Sequence, residues 1–261
     1  MGITSEVLSH RRLILRRVRA ELRFRYSGTA LGLLWLLLHP ALLVGAYALI
    51  FGLVRGNRDD FGTPYAWILC SGLLPWIGFA EAVSRSTNAL KTNRAYLKKL
   101  PAPEHVYVLQ AALTAVAQSA ITMLVLLAVG PVLGISPTMI WLALPIPFFA
   151  LAMLGTGLGL CLAPLNVVVP DVGELVPVAL RLGLWAVPTI LPYQLYVDAG
   201  VGEVVRALPA GATLIAFQDL LGFGRWPEPL TWVWMLGWPI VAWVAGTFVF
   251  RRIQPELKDL L

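Results

Sequence analysis

Charge is what this sequence has least of. From Val106 to Pro170 it runs 65 residues without a Lys, Arg, Asp or Glu. A soluble domain has no way to bury so long an uncharged stretch, whereas about 20 apolar residues suffice to cross the bilayer hydrocarbon. Cysteine is scarce as well. Cys70 and Cys161 both fall inside apolar runs, where a lone thiol packs as a small apolar group rather than forming a disulfide or metal site. Whole chemistries are missing too. No Lys follows a Gly, so there is no Walker A loop. HExxH, GxSxG and Cys/His clusters are absent, and His10, His39 and His105 are scattered. The chain offers no motor, no catalytic residues, no metal site and no cofactor site, so it is not read as an enzyme.

What fills the sequence instead is apolar: 58% of residues are hydrophobic and only 13% charged. Besides 106–170, uncharged runs cover Tyr26–Val54, Phe61–Ala80 and Leu230–Phe250. Leu175–Val197 is more broken, with Arg181 and three prolines. Gly130-Pro131 and Ser136-Pro137 divide the longest run. The expected fold is an all-α polytopic membrane protein with six transmembrane helices, near 30–54, 64–88, 106–129, 138–163, 174–196 and 229–250. The first run is too long for a signal peptide and lacks a small-residue cleavage site, so it is expected to remain as an anchor.

A net charge of +6 could suggest nucleic acid, but the basic residues sort by loop. Fifteen lie in residues 1–27, in the loop after the second span and at the C-terminus. Only Arg55, Arg58, Arg206 and Arg225 fall on the other side, and Arg181 sits within a span. By the positive-inside rule both termini are cytoplasmic, as an even number of spans requires.

Residues 1–27 read as a cytoplasmic amphipathic interface helix. At 100° per residue Arg12, Arg16, Arg19 and Arg23 share a narrow arc, while Val7, Ile14, Leu15, Val18 and Leu22 fill another face. Arg11 and Arg25 project toward the apolar side. The arginine arc either lies along anionic headgroups or also admits an anionic lipid-linked substrate. Within the first span, Pro40 follows His39 and should kink the helix. Glu81 and Arg85, spaced i, i+4 at the end of the second span, can pair.

The segment 91–104 contains Asn93, Arg94, Lys98, Lys99, Pro101 and Glu104. It is either a solvated connector or a short helix that docks into a cytosolic partner. Gly155-Thr156-Gly157-Leu158-Gly159 is a small-residue face for close helix packing. Asp171 and Glu174 have the spacing of a capping box that opens the fifth span, and Arg181 follows on nearly the same face. These charges, with Glu81 and Arg85, are the candidate intramembrane or gate charges. Gln194–Leu208 and Leu214–Phe223 are each too short to span. They read as two short helices dipping into the outer leaflet and forming a lid at 197–227. Tyr47, Tyr65, Trp67, Tyr193 and Tyr196 cluster at the external ends of spans one, two and five. They are candidates either for interfacial anchoring or for guiding a sugar chain at an exit.

Several stretches together resemble one family. Arg25-Tyr26-Ser27-Gly28-Thr29-Ala30-Leu31-Gly32-Leu33-Leu34-Trp35, then Pro40 and Phe51-Gly52, is similar to the opening of ABC-2-type permeases that export bacterial polysaccharides. Pro64-Tyr65, Gly72-Leu73-Leu74-Pro75-Trp76, Asn93 through Lys98-Lys99-Leu100-Pro101, and Phe250-Arg251-Arg252 with Pro255 and Asp259-Leu260 match the same pattern. The resemblance implies a homodimeric permease at residues 28–254, with a cytoplasmic tail at 251–261, in the bacterial cytoplasmic (inner) membrane. It implies two copies of a separate ATP-binding subunit, which hold the ATP and Mg. It implies a lipid-linked O-antigen, capsule or teichoic-acid chain as substrate, residues 91–104 as coupling helix and 197–227 as re-entrant gate. Two positions depart: Pro170 precedes Asp171 where the family has Arg-Asp, and Ala210-Gly211 stands where it has Asn-Pro. The runner-up is an ion-gradient-driven secondary transporter, which calls for paired ionisable residues at the midplane and internal repeats. A membrane-embedded glycosyl- or acyltransferase comes third, for want of a catalytic cluster.

Overall fold

The computed structural model describes residues 3–26, 28–29, 31–55, 63–97 and 103–260, and among these every regular element is helical. Helix α1 is Ile3–Tyr26, α2 is Trp35–Arg55 and α3 is Tyr65–Thr92, followed by the one-turn α4, Arg94–Leu97. Helix α5 spans Glu104–Val129, and α6 spans Pro145–Val168. Between them, 3-10 turns at Gly130–Leu133 and Met139–Ala143 flank Gly134, whose φ of 80° is open to glycine at little cost. The Gly-Pro and Ser-Pro signals mark this turn as expected. Then come α7, Val172–Ala186, and three short helices: α8 (Tyr193–Asp198), α9 (Gly202–Ala207) and α10 (Gly211–Phe217). A π-helical turn, Gln218–Gly222, leads to α11, Pro229–Leu260.

Among the described residues four helices are long and apolar enough to cross a membrane: Tyr65–Thr92, Glu104–Leu133, Met139–Val168 and Pro229–Leu257. Trp35–Phe51 is a shorter apolar helix. The protein is thus a multi-pass helical membrane protein, and four of the six expected spans coincide with these long elements. The fifth expected span is corrected. Helix α7 ends at Ala186, ten residues before 196, because Pro188 and Pro192 remove two amide donors and push the residues before them out of helical geometry. The last helix, in turn, runs on past 250 into the expected tail.

Helix α3 is the axis of the fold. Its apolar window is 78% buried, against 28% for both α5 and α11, so it is surrounded while they face outward. Helix α6 packs against both α3 and α11, and its glycines explain how. A Cβ on Gly157 would lie 2.6 Å from the backbone carbon of Ala242, and one on Gly246 would lie 2.2 Å from the carbonyl oxygen of Gly157. The two helices therefore touch backbone to backbone, as the small-residue face predicts. Gly159 turns toward α3, where a Cβ would meet that of Ser86 at 2.3 Å.

One end of the bundle gathers Ile14 and Val18 of α1 with Leu90, Val106, Leu109, Leu160, Phe250 and Leu257. The ends of α3, α6 and α11 and the start of α5 meet there. Ile14 and Val18 of the apolar stripe are buried in this cluster and Leu22 packs against it, while Leu15 and the arginines Arg12, Arg16, Arg19 and Arg23 are exposed. The opposite end carries the 3-10 turns and the short helices α8–α10.

Candidate functional site

Where α7 stops, residues Val187–Pro192 lie outside any helix although protein surrounds several of them. Backbone carbonyls released in a membrane setting need partners from the protein itself. The partners come from four directions. Tyr65 donates its hydroxyl to the Ile190 carbonyl at 2.8 Å. Gln218 donates to the carbonyls of Pro188 and Leu191 at 3.0 and 3.1 Å, and its side-chain oxygen accepts the Tyr193 amide at 3.0 Å. The Tyr196 hydroxyl lies 3.3 Å from the carbonyls of Trp185 and Val187. Thr189 turns its own hydroxyl back to Leu184. A break that would be costly alone is thereby satisfied.

Gln218 is fully buried and belongs to the π turn, in a stretch (211–222) where every residue is buried. A π turn inserted after an α-helix is a recurrent feature of functional sites. Trp67 on α3 donates its indole N–H to the carbonyl of Leu221 in that turn at 2.7 Å and stacks on Trp141, ring centres 5.8 Å apart. Further along, Arg206 pairs with Glu228 at 2.6 Å and Glu203 at 3.3 Å, and Arg225 pairs with Asp219 at 2.7 Å. Burial pushes the Asp219 carboxyl up, and the hydrogen bond and charge of Arg225 pull it back. The Trp238 indole donates to the Ala207 carbonyl at 2.9 Å. Segment 187–228 is thus tied to α3 and α11 rather than draped over them.

The expected lid helices are corrected in detail. Gln194–Leu208 is two helices, because Gly200 adopts φ 76° between them. Leu214–Phe223 starts earlier, at Gly211. Gly211, one of the two departures from the family pattern, has a local cause: a Cβ there would lie 1.8 Å from the Val205 carbonyl oxygen.

Of the five exit aromatics, Tyr65, Trp67 and Tyr193 are buried, at 8%, 1% and 6% exposure. Their rings lie among core side chains of the chain itself. Tyr47 and Tyr196 are half-exposed. Among the gate charges, Glu81 and Arg181 line one groove of about 350 Å³ between α3 and α7, with Trp76, Ser84 and Leu184. Asp171 and Glu174 are exposed and outside it, and no capping box forms, because Asp171 itself has helical dihedrals and its side chain makes no capping bond.

Glu81 also accepts from Arg85 at 3.4 Å, as the i, i+4 spacing predicts, and from Arg25 at 3.2 Å. Arg85 pairs with Glu21, which accepts from Gln110 at 3.0 Å and Thr114 at 3.2 Å, while Arg25 donates to Gln118. Arg17 lies over the Tyr107 ring at 4.5 Å. Tyr107, Gln110, Thr114 and Gln118 form one stripe of α5. The sequence shows two traces of this ladder, the Glu81–Arg85 spacing and Arg25 on the apolar side of α1; the rungs to α5 have no local signal. A cavity of about 700 Å³, lined by Glu21, Phe24, Arg85, Asn93, Tyr96 and Gln110 among others, opens beside it.

In the segment expected as a coupling helix, Lys91 is still in α3, Asn93 turns the chain, and the described residues Arg94–Leu97 form one helical turn. Lys98, Lys99 and Pro101 lie outside the described residues. Glu104 opens α5 and accepts from Gln254 near the end of α11 at 3.0 Å. Among the described residues no group of three or more His, Cys, Asp or Glu is placed to hold a metal ion.

Fold and site define a multi-pass helical membrane protein whose broken helix is sealed by an inserted segment. No family model matches the chain. It is similar to the O-antigen export system permease protein RfbA of Myxococcus xanthus, 27% identical over 261 residues and 98% of either chain. Two proteins of the same description from Klebsiella pneumoniae are 22% identical over 243 residues, 92% of either chain. The resemblance to polysaccharide-export permeases therefore extends over nearly the whole length.

Proposed function

We infer that this chain is the permease subunit of an ATP-driven exporter that moves lipid-linked polysaccharide outward across a bacterial cytoplasmic membrane. The observation that carries the reading is the end-to-end similarity to O-antigen export permeases, in a chain with no motor of its own. In this reading two copies of the chain form the path and two copies of a separate ATPase bind and hydrolyse ATP with Mg. Both termini and residues 91–104 face the cytoplasm, and six segments cross, α2 and the shortened α7 being the two beyond the long spans. Segment 197–227 with the preceding break forms a re-entrant gate held by Trp67, Tyr65 and Gln218.

The coupling element is the α3–α4 corner together with Lys98, Lys99 and Pro101, and Glu104 fixes its far side to α11. Arg12, Arg16, Arg19 and Arg23 meet anionic headgroups and admit the anionic lipid-linked substrate. Glu81 and Arg181 flank its route, and Tyr47 and Tyr196 offer rings for the sugars at the exit. The exposed Asp171 and Glu174 stand at the cytoplasmic mouth. The test is to coexpress the chain with an ABC-type ATPase subunit from the same genome, purify through this chain, and measure subunit retention and ATP hydrolysis. Lys98→Glu with Lys99→Glu should lower retention or hydrolysis severalfold with normal membrane insertion. Wild-type values in that double variant contradict the coupling role.

A further inference from the structure

We propose that Asn166 is the positioning residue that makes the first turn of α7 follow the α3–α4 corner during export; this rests on the permease reading above. Asn166 sits near the end of α6 with no exposed surface. Its amide donates to the Thr87 carbonyl at 3.0 Å and to the Asn88 side-chain oxygen at 3.1 Å. Its own oxygen accepts from Lys91 Nζ at 2.8 Å. All three partners lie in the last turn and a half of α3, immediately before the corner. Asn93 closes that corner by donating its side-chain amide to the Ala89 carbonyl at 2.8 Å, and α4 follows.

On its other side the same amide supports α7. A Cβ on Gly173 would lie 2.8 Å from the Asn166 oxygen and 3.2 Å from its nitrogen, so the first turn of α7 rests directly on it. The connection is short and internally bonded: Val169 donates to Leu165 at 2.7 Å, and Gly173 donates to Pro170 at 3.1 Å. Slack between α6 and α7 is therefore small. Helix α7 itself is lightly packed. Among its described residues only Val176 is buried, while Leu175, Val178, Leu182 and Trp185 are exposed. At its far end it is held by the satisfied break at Val187–Pro192.

Helix α7 also rests on α3 along one side, where a Cβ on Gly183 would lie 2.8 Å from the Trp76 ring and Leu180 and Leu184 meet the core, so a shift of its first turn is carried along that side. A push on α4 reaches α7 through one fully buried, three-bonded side chain, and α7 carries Arg181 into the groove it shares with Glu81. Packed elements linked in this way transmit between discrete arrangements rather than deforming gradually.

The experiment uses the complete assembly, this chain with its ATPase, reconstituted in liposomes. It compares the wild type with Asn166→Leu, which keeps the volume and removes every bond, and with the double variant Asn88→Ala, Lys91→Met, which removes both side-chain partners on α3. Three quantities are read: ATP hydrolysis, ATP-dependent export, and the ATP-induced change in distance between spin labels at Leu182 of α7 and Phe149 of α6. In Asn166→Leu, hydrolysis stays near wild type while export falls roughly tenfold and the distance change disappears. The double variant lowers export and the distance change in weaker form. Asn166→Asp, which keeps the Lys91 contact, retains more export than Asn166→Leu.

Wild-type export and a wild-type distance change in Asn166→Leu overturn the proposal. If that variant fails to assemble, the double variant decides, and its unchanged export and distance change overturn the proposal equally. A wild-type assembly that exports nothing with ATP overturns the permease reading instead, and this inference with it.

Discussion

Trp67 and Leu221 stand 154 residues apart in sequence and are joined by an indole N–H donated to a main-chain carbonyl at 2.7 Å. That bond fixes the π turn to the central helix, and Trp141 stacks on the same indole. Trp67→Phe should therefore leave the Leu221 carbonyl unpaired and cost about 1–3 kcal/mol. Trp67→Ala should cost about 3–5 kcal/mol through the cavity it opens. Denaturant unfolding in micelles reads both. Export loss in Trp67→Ala with unchanged stability would return this ring to the transport path.

The two glycines at 155 and 157 face different neighbours. A methyl at Gly157 meets the backbone of Ala242 at 2.6 Å, whereas one at Gly155 meets Phe79 and Ala82 at 3.4 and 3.5 Å. Gly157→Ala should be destabilising by about 1–3 kcal/mol, and Gly155→Ala should stay within about 0.5 kcal/mol of the wild type. Equal thermal stability of the two variants contradicts backbone contact between α6 and α11.

Glu21 joins α1 to the bundle through Arg85, Gln110 and Thr114. Single half-exposed ion pairs contribute only about 0–1 kcal/mol, but Glu21→Lys places a cation beside Arg85 and removes two further acceptor contacts. Hydrogen exchange across 12–25 should accelerate severalfold while α3 and α6 keep their protection. Unchanged exchange in α1 means that Ile14 and Val18 alone hold it.

The basic asymmetry fixes an expected topology. Single cysteines at Asn57 and Lys98, in a chain with Cys70 and Cys161 replaced, should differ toward an impermeant thiol reagent. In intact cells position 57 should label and position 98 should not. The reverse pattern inverts the whole arrangement.

The long spans were legible because uncharged length is a strong one-dimensional signal, and Gly130-Pro131 divided them at the correct turn. The end of α7 was legible only as prolines in an otherwise apolar run: Pro188 and Pro192 set the break, but the groups that satisfy it come from Tyr65 and Gln218, far away in sequence. Gln218 did leave a trace as a lone amide in an apolar run, yet nothing local says that its partners are main-chain carbonyls. The glycine motif at 155–159 was read as packing because small residues four apart have few other uses in a span. The aromatic positions carry a related ambiguity. Tyr65 and Trp67 sit at interfacial depth, which suggests anchors or a path, but burial is a tertiary property and the sequence holds no measure of it. The rungs from Glu21 to α5 were hidden because the ladder's members lie on three helices, each with an unremarkable local pattern.

The central claim is ATP-driven export by this chain with a partner ATPase. It is tested most directly by reconstituting the purified assembly in liposomes with lipid-linked glycan on the ATPase-facing side. The measurement is transfer of glycan to the opposite face with ATP, with a non-hydrolysable analogue, and with ATP plus ionophores that collapse ion gradients. The account predicts transfer with ATP, none with the analogue, and no loss on adding ionophores. Transfer that proceeds without ATP and stops when the gradient is collapsed contradicts it and identifies a secondary transporter instead.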